Sequence, residues 1–114
     1  MELLYLASPY THADESVMEK RHLETCYAAR DMMTEWRNVY SPILHNHFMA
    51  KMGGLPVDFD YWMNVDFDMI KRCDALVVLM LDGWEDSKGI KAEVDFATSI
   101  GLKVHYIKPD WMNR

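Results

Sequence analysis

Apolar positions recur along this chain with two different periods. Leu3 to Ala7 is a short continuous apolar run, and Ala75 to Leu81 (ALVVLML) is a longer one, rich in β-branched residues and bounded by polar residues on both sides. Both read as strands, the second buried on both faces. Val39-Tyr40-Ser41, ended by Pro42, and Lys103 to Ile107 predict two more. Helical spacing occupies most of the rest. One helix starts at a cap on Asp14, with Ser16 as a second candidate, and runs to about Arg37 with Asn38 as its stop. Its expected apolar face is Val17, Leu23, Tyr27, Met32, Met33 and Trp36. A second helix spans Asp58 to Arg72, with Phe59, Trp62, Met63, Phe67 and Ile70 apolar and Asp60, Asp66 and Asp68 on the polar side. In a third, Ile90, Val94, Ala97 and Ile100 recur until Gly101, and Glu93 is expected in the first turn. Residues 42 to about 57, with Gly53-Gly54 and Pro56, form the longest irregular segment; it holds at most a helical turn around His47 to Lys51 and is expected to be a binding element.

The order β-α-β-α-β-α-β implies a parallel sheet with right-handed crossovers and helices on both faces. The expected fold is a flavodoxin-like three-layer α/β/α domain over residues 1–114, with a four-stranded sheet in the order 2-1-3-4. The loops that follow the first and third strands, Tyr5 to Tyr10 and Asp82 to Gly89, then flank the switch point, where open α/β sheets gather unpaired N–H groups and bind ligands.

Composition narrows the options. A chain of 114 residues leaves too little apolar surface for a second core, and half of the residues are hydrophobic, which argues against disorder. The net charge of −6 without a Lys/Arg run excludes a duplex-binding face, yet a local nest of N–H donors can still hold a small anion. Apolar runs fall far short of the ~20 residues needed to cross a bilayer, and Met1-Glu2-Leu3-Leu4-Tyr5 lacks the basic start of a signal peptide, so a cytoplasmic protein is expected. Cys26 and Cys73 are isolated and read as reduced packing residues, and the ten methionines as adaptable core filler. His45-Asn46-His47 would hold a metal only with a third ligand from elsewhere; no metal and no cofactor are expected.

Glu93 and Asp66 carry the candidate chemistry. A glutamate in a first helical turn is favoured as the anion by the macrodipole, by about 0.3–1 kcal/mol, and on its own would be ionised at neutral pH. If a second carboxyl approached, repulsion would separate the two titrations, so that one holds a proton while the other attacks. Two carboxyls flanking one bond are what cleavage of a glycosidic linkage through an oxocarbenium-like transition state requires. From spacing alone, a helix-stabilising Glu93 and a solvated Asp66 are the simpler alternative.

Three motifs in order, YLASPY (Tyr5 to Tyr10), SPI-x-H-x-H (Ser41 to His47) and LDGW-x-x-S-x-G-x-x-x-E (Leu81 to Glu93), resemble the nucleoside 2-deoxyribosyltransferase-like superfamily, and more closely its small DUF1937-type branch. The resemblance covers nearly the whole chain. It implies that Glu93 is the nucleophile that attacks the anomeric carbon. Asp66 would manage the proton of the leaving base, and the hydroxyl of Tyr5 would hold the nucleophile in place. Six residues before the nucleophile, transferases acting on nucleosides carry an aspartate that contacts the sugar 5′ end, whereas this chain has Ser87. A hydroxyl beside a helix N-terminus, Gly89 and Lys88 would welcome a 5′-phosphate, as in the superfamily's nucleoside 5′-monophosphate N-glycosidases. Asp86 lies next door, and a one-residue shift would restore the nucleoside reading. Relatives also reach into a neighbouring subunit's site with residues beyond the last strand, for which Asn113 or Arg114 would have to serve here.

Further candidates for the pocket wall are Ser8, Pro9 and Tyr10, His45 with His47, and Trp84, for which plain packing is the competing reading. Trp62, Trp111 and Met112 read as core or interface residues, and the apolar content of so short a chain suggests a homodimer or a larger ring. The expectation is therefore hydrolysis of the N-glycosidic bond of a (deoxy)nucleoside 5′-monophosphate. The alternatives are a 2-deoxyribosyltransferase acting on unphosphorylated nucleosides and a non-catalytic nucleotide- or nucleotide-sugar-binding module. A phosphoryl-handling protein is less favoured because no P-loop is present.

Overall fold

The computed structural model describes residues 2–35 and 37–109. Four strands, β1 (Leu3–Ala7), β2 (Asn38–Tyr40), β3 (Ala75–Leu79) and β4 (Lys103–Ile107), form one all-parallel sheet in the order β2-β1-β3-β4, as expected. Four helices cover it: α1 (Glu15–Thr34), α2 (Pro42–Lys51), α3 (Phe59–Ile70) and α4 (Lys88–Ser99). None of the described helices is long and apolar enough to cross a membrane.

Side-chain alternation along the two central strands builds two cores. Leu4 and Leu6 of β1 and Ala75, Val77 and Leu79 of β3 point to one face, where Ala28, Ala29 and Met32 of α1 and Leu44 of α2 pack on them. Tyr5, Ala7, Leu76 and Val78 point to the other face, onto Ile70 of α3 and Ile90 and Ala97 of α4. Each fully buried large aliphatic side chain contributes roughly 1.5–3 kcal/mol. A parallel stack of Phe67 on Phe96, with ring centroids 4.3 Å apart, ties α3 to α4. The sheet edges are protected differently: β2 has three residues, and β4 sets Lys103 and His105 towards solvent.

Several expectations need correction. The segment after β2 is not irregular: Ser41 accepts a hydrogen bond from the Leu44 N–H at 3.2 Å, Pro42 takes the first helical position, where its missing N–H costs nothing, and α2 runs ten residues. The Asp14 cap is present, accepting from the Ser16 N–H at 2.9 Å, but α1 ends at Thr34, and Asn38 opens β2 instead of stopping the helix. The buried face of α1 is Thr25, Ala28, Ala29 and Met32, while Leu23, Tyr27 and Met33 are exposed, because small residues let the helix approach the sheet closely. Strand β3 ends at Leu79, two residues early. Trp36 and the tail residues Trp111, Met112, Asn113 and Arg114 lie outside the described residues.

Candidate active site

The switch point lies between β1 and β3, paired in register as Tyr5↔Leu76. Arg21 of α1 ties its two loops together, donating from Nη1 to the Thr11 carbonyl (3.1 Å) and from Nη2 to the Asp82 carbonyl (3.1 Å). Gly83 makes that approach possible. Its φ is +89°, and a Cβ there would sit 2.6 Å from Arg21 Nη2.

Tyr5, Asp66 and Glu93 converge on the face of the sheet covered by α3 and α4. Tyr5 reaches the helical layer by strand alternation, Asp66 stands one turn before buried Ile70 on α3, and Glu93 lies on the α4 stripe Ile90–Glu93–Ala97. All three are almost wholly removed from solvent. The Tyr5 hydroxyl donates a short hydrogen bond to Glu93 Oε2, and Asp66 interacts with both partners while its buried Oδ1 has no hydrogen-bond partner. Asp66 therefore belongs to the buried side of α3, not to its polar side as periodicity suggested. Glu93 is the sixth residue of α4, in the second turn, where the field of the helix end has largely faded.

Desolvation consequently outweighs the dipole. Burial first, and then the charge of Asp66, push the Glu93 carboxyl well above the usual carboxylate range, although the Tyr5 hydrogen bond pulls the other way. Burial also raises Asp66. Glu93 thus does not stand alone: with Asp66 beside it, the two carboxyls give up their protons above the usual carboxylate range, in steps belonging to the pair. Tyr5 is driven far above its ordinary value by burial and by both carboxyls, so it remains a donor. Sequence reasoning missed Tyr40, whose ring lies 5.7 Å from that of Tyr5 and whose phenol is pushed up to about 12 by burial and then by Asp66. The expected order 2-1-3-4 already set the strand of Tyr40 beside that of Tyr5; the register that pairs the two residues comes from the structure.

These shifts set a pH dependence of stability. The folded pair binds more protons than the unfolded chain, so stability is greatest below the ordinary carboxylate range and declines as pH rises through the raised values. Thermal melts from mildly acidic to mildly alkaline pH should show a falling Tm in the wild type and a flatter profile in the Asp66→Asn/Glu93→Gln double variant, with the variant the more stable at the alkaline end.

The remaining candidates divide. Ser87 caps α4, its hydroxyl accepting from the Ile90 N–H at 3.2 Å, while Asp86 is exposed at the end of a 3-10 turn over Trp84–Asp86. Gly89 lies in the first turn of α4 with room for a Cβ, and exposed Lys88 holds its Nζ 4.3 Å from the centre of the Phe59 ring. Ser8 and Pro9 are buried, with Ser8 Oγ hydrogen-bonded to Thr25 Oγ1 at 3.1 Å. Trp84 packs on Tyr106 and the α4-side core. His45 is exposed, its ring 5.9 Å from that of Tyr40. Tyr10 and His47 face α1 and hydrogen-bond each other, Oη to Nδ1, at 2.7 Å. A cleft of about 320 Å³ also opens between α1 and the β3 loop, bordered by Lys20, Arg21, Leu81 and Gly83; Tyr5, Asp66 and Glu93 are not in its wall.

A search of curated protein sequences finds no match. Among solved structures, the chain resembles the 2-deoxyribosyltransferase of the psychrotolerant bacterium Bacillus psychrosaccharolyticus with a TM-score of 0.58 and 22% identity, over 94% of this chain and 72% of that one. At that identity the likeness is one of fold. Residues 2–108 match the family model described as a domain of unknown function, DUF1937. With nearly its whole length inside that model, and the motifs around Tyr5 and Glu93 brought together at one end of the sheet, the chain belongs to the DUF1937 family.

Proposed function

We propose that the protein cleaves the N-glycosidic bond of a (deoxy)nucleoside 5′-monophosphate by double displacement, with Glu93 as nucleophile. The observation that carries this reading is the convergence of Glu93, Asp66 and Tyr5 in a buried cluster beside the switch point. At neutral pH the carboxyl pair would share one proton. The reactive arrangement places the charge on Glu93, steadied by the Tyr5 O–H, and the proton on Asp66. Glu93 attacks C1′, the C1′–N bond breaks, and Asp66 delivers its proton to the departing base. Water then attacks C1′ of the ribosyl ester, Asp66 takes up a proton from it, and Glu93 is released as a carboxylate.

Preference for a phosphorylated substrate is supported by Ser87. It is Ser87, not Asp86, that occupies the cap of α4, and its hydroxyl, which accepts from the Ile90 N–H, keeps its hydrogen to donate to an anion at the helix N-terminus. Release of free base from a panel of nucleosides and their monophosphates tests this. Monophosphates should be the better substrates, and Ser87→Asp should lower their kcat/KM about tenfold to a hundredfold, the loss expected for a hydrogen bond to a charged group. Preference for unphosphorylated nucleosides in the wild type would contradict it. A transferase reading is favoured by the fold neighbour, a 2-deoxyribosyltransferase; a second free base added to the assay would then be converted to a new nucleoside instead of only the first being released. Exposed Leu23, Tyr27 and Met33 on α1 and Phe48 and Met49 on α2 support assembly with further copies of the chain.

A further inference from the structure

On the opposite face of the sheet from the carboxyl pair, α1 presents Glu19 and His22, one turn apart, towards His47 of α2. The donor atoms of these three residues lie within 4.8 Å of one another. His47 is the informative member. Its side chain is 1% exposed, its Nδ1 is engaged by Tyr10 Oη at 2.7 Å, and its buried Nε2 has no hydrogen-bond partner, although Glu19 Oε2 lies 3.4 Å away. A buried ring nitrogen left without a partner is costly, and it is rare in a settled core. A second-sphere hydrogen bond on one ring nitrogen, with the other left open beside a carboxylate, is the arrangement that fixes a histidine as a metal ligand. Nδ1 would then carry the proton and donate to Tyr10, leaving the Nε2 lone pair free.

We infer that Glu19, His22 and His47 bind a divalent transition cation of the zinc type, which clips α1 to α2. The two imidazoles and one carboxylate suit such an ion better than calcium or magnesium, which prefer all-oxygen shells. Lys51 does not block the site, because its Nζ is bonded to Glu19 Oε1 and leaves Oε2 for the ion. Ligands of a tetrahedral zinc stand about 3.4 Å apart, given metal–ligand distances of about 2.1 Å. Closing the triangle therefore needs displacements of about an ångström. His22, now stacked on His47 with ring centroids 3.8 Å apart, and the half-exposed Glu19 would supply them, while buried His47 stays fixed. The H-x-H pair does not act together, since His45 is exposed beside Tyr40. In place of His45, the inferred site takes its other two ligands from a Glu-x-x-His turn on α1.

The test is zinc titration of the EDTA-treated, desalted full chain, followed by calorimetry, by thermal melts and by the visible spectrum after cobalt substitution. One equivalent should bind, Tm should rise by several degrees, and cobalt should give the intense d–d bands of a four-coordinate site. His22→Ala, at a partly exposed position, should weaken zinc binding at least tenfold and His47→Ala should abolish it, while His45→Ala and Lys51→Gln should retain it. No zinc-dependent rise in Tm, or equal affinity in His22→Ala, overturns the proposal. Because the site shares no residue with the carboxyl pair, either outcome is independent of the glycosidase assay.

Discussion

Glu93→Ala is expected to stay folded and to lose base release by a factor on the order of 10⁴ or more, since removing a nucleophile leaves only binding and residual electrostatics. The fold should survive because Glu93 is an expensive residue to bury: desolvation holds its carboxyl above the usual range, and taking it away removes that cost. Ground-state binding of a monophosphate should persist in the variant, because the nucleophile acts on C1′ and the phosphate is proposed to rest at the cap of α4. Turnover of free base, read by chromatography beside a binding titration, separates this account from a non-catalytic nucleotide-binding module. The module would bind with equal strength in both proteins and release no base from either.

Asp66→Asn carries the second large effect. An amide cannot deliver the proton, so kcat should fall about 10²–10⁴-fold with ordinary bases, and much less with an analogue whose leaving group departs without protonation. The pH profile supplies the sign. Activity in the wild type should require one proton on the pair, falling on the acid side as the pair takes up a second proton and on the alkaline side as it loses its last, both limbs displaced upwards by burial. In Asp66→Asn the alkaline limb should disappear, while the acid limb, along which Asp66 is already neutral, should remain close to its wild-type position. An unchanged bell-shaped profile would remove Asp66 from the reaction.

Much of this arrangement was readable from the residues, and the parts that were not share a physical cause. The continuous apolar runs Ala75 to Leu79 and Leu3 to Ala7 report burial on both faces directly, and Gly101, at φ +83°, ends α4 where a helix stop was expected. Helix α2 was hidden because its face is mixed: Pro42, His47 and Leu44 point inward while Phe48 and Met49 point out, which erases the apolar period. The exposure of Leu23 and Met33 was misjudged for a similar reason, since Thr25, Ala28 and Ala29 are what allow α1 close contact with the sheet. Asp66 looked solvated because a polar residue between apolar ones is usually outside; here its burial against Tyr5 and Glu93 breaks the pattern. The pairing of Glu19 and His22 with His47 depends on tertiary contact between two helices, and no spacing along the chain announces it.

A crystal of Glu93→Gln soaked with a deoxynucleoside 5′-monophosphate tests the central claim most directly. The account predicts C1′ within about 3.5 Å of the Gln side chain at position 93, the base nitrogen within reach of Asp66, and the phosphate at the cap formed by Ser87. A nucleotide seated instead in the cleft between Lys20 and Gly83, with its sugar remote from Tyr5 and Asp66, would contradict it.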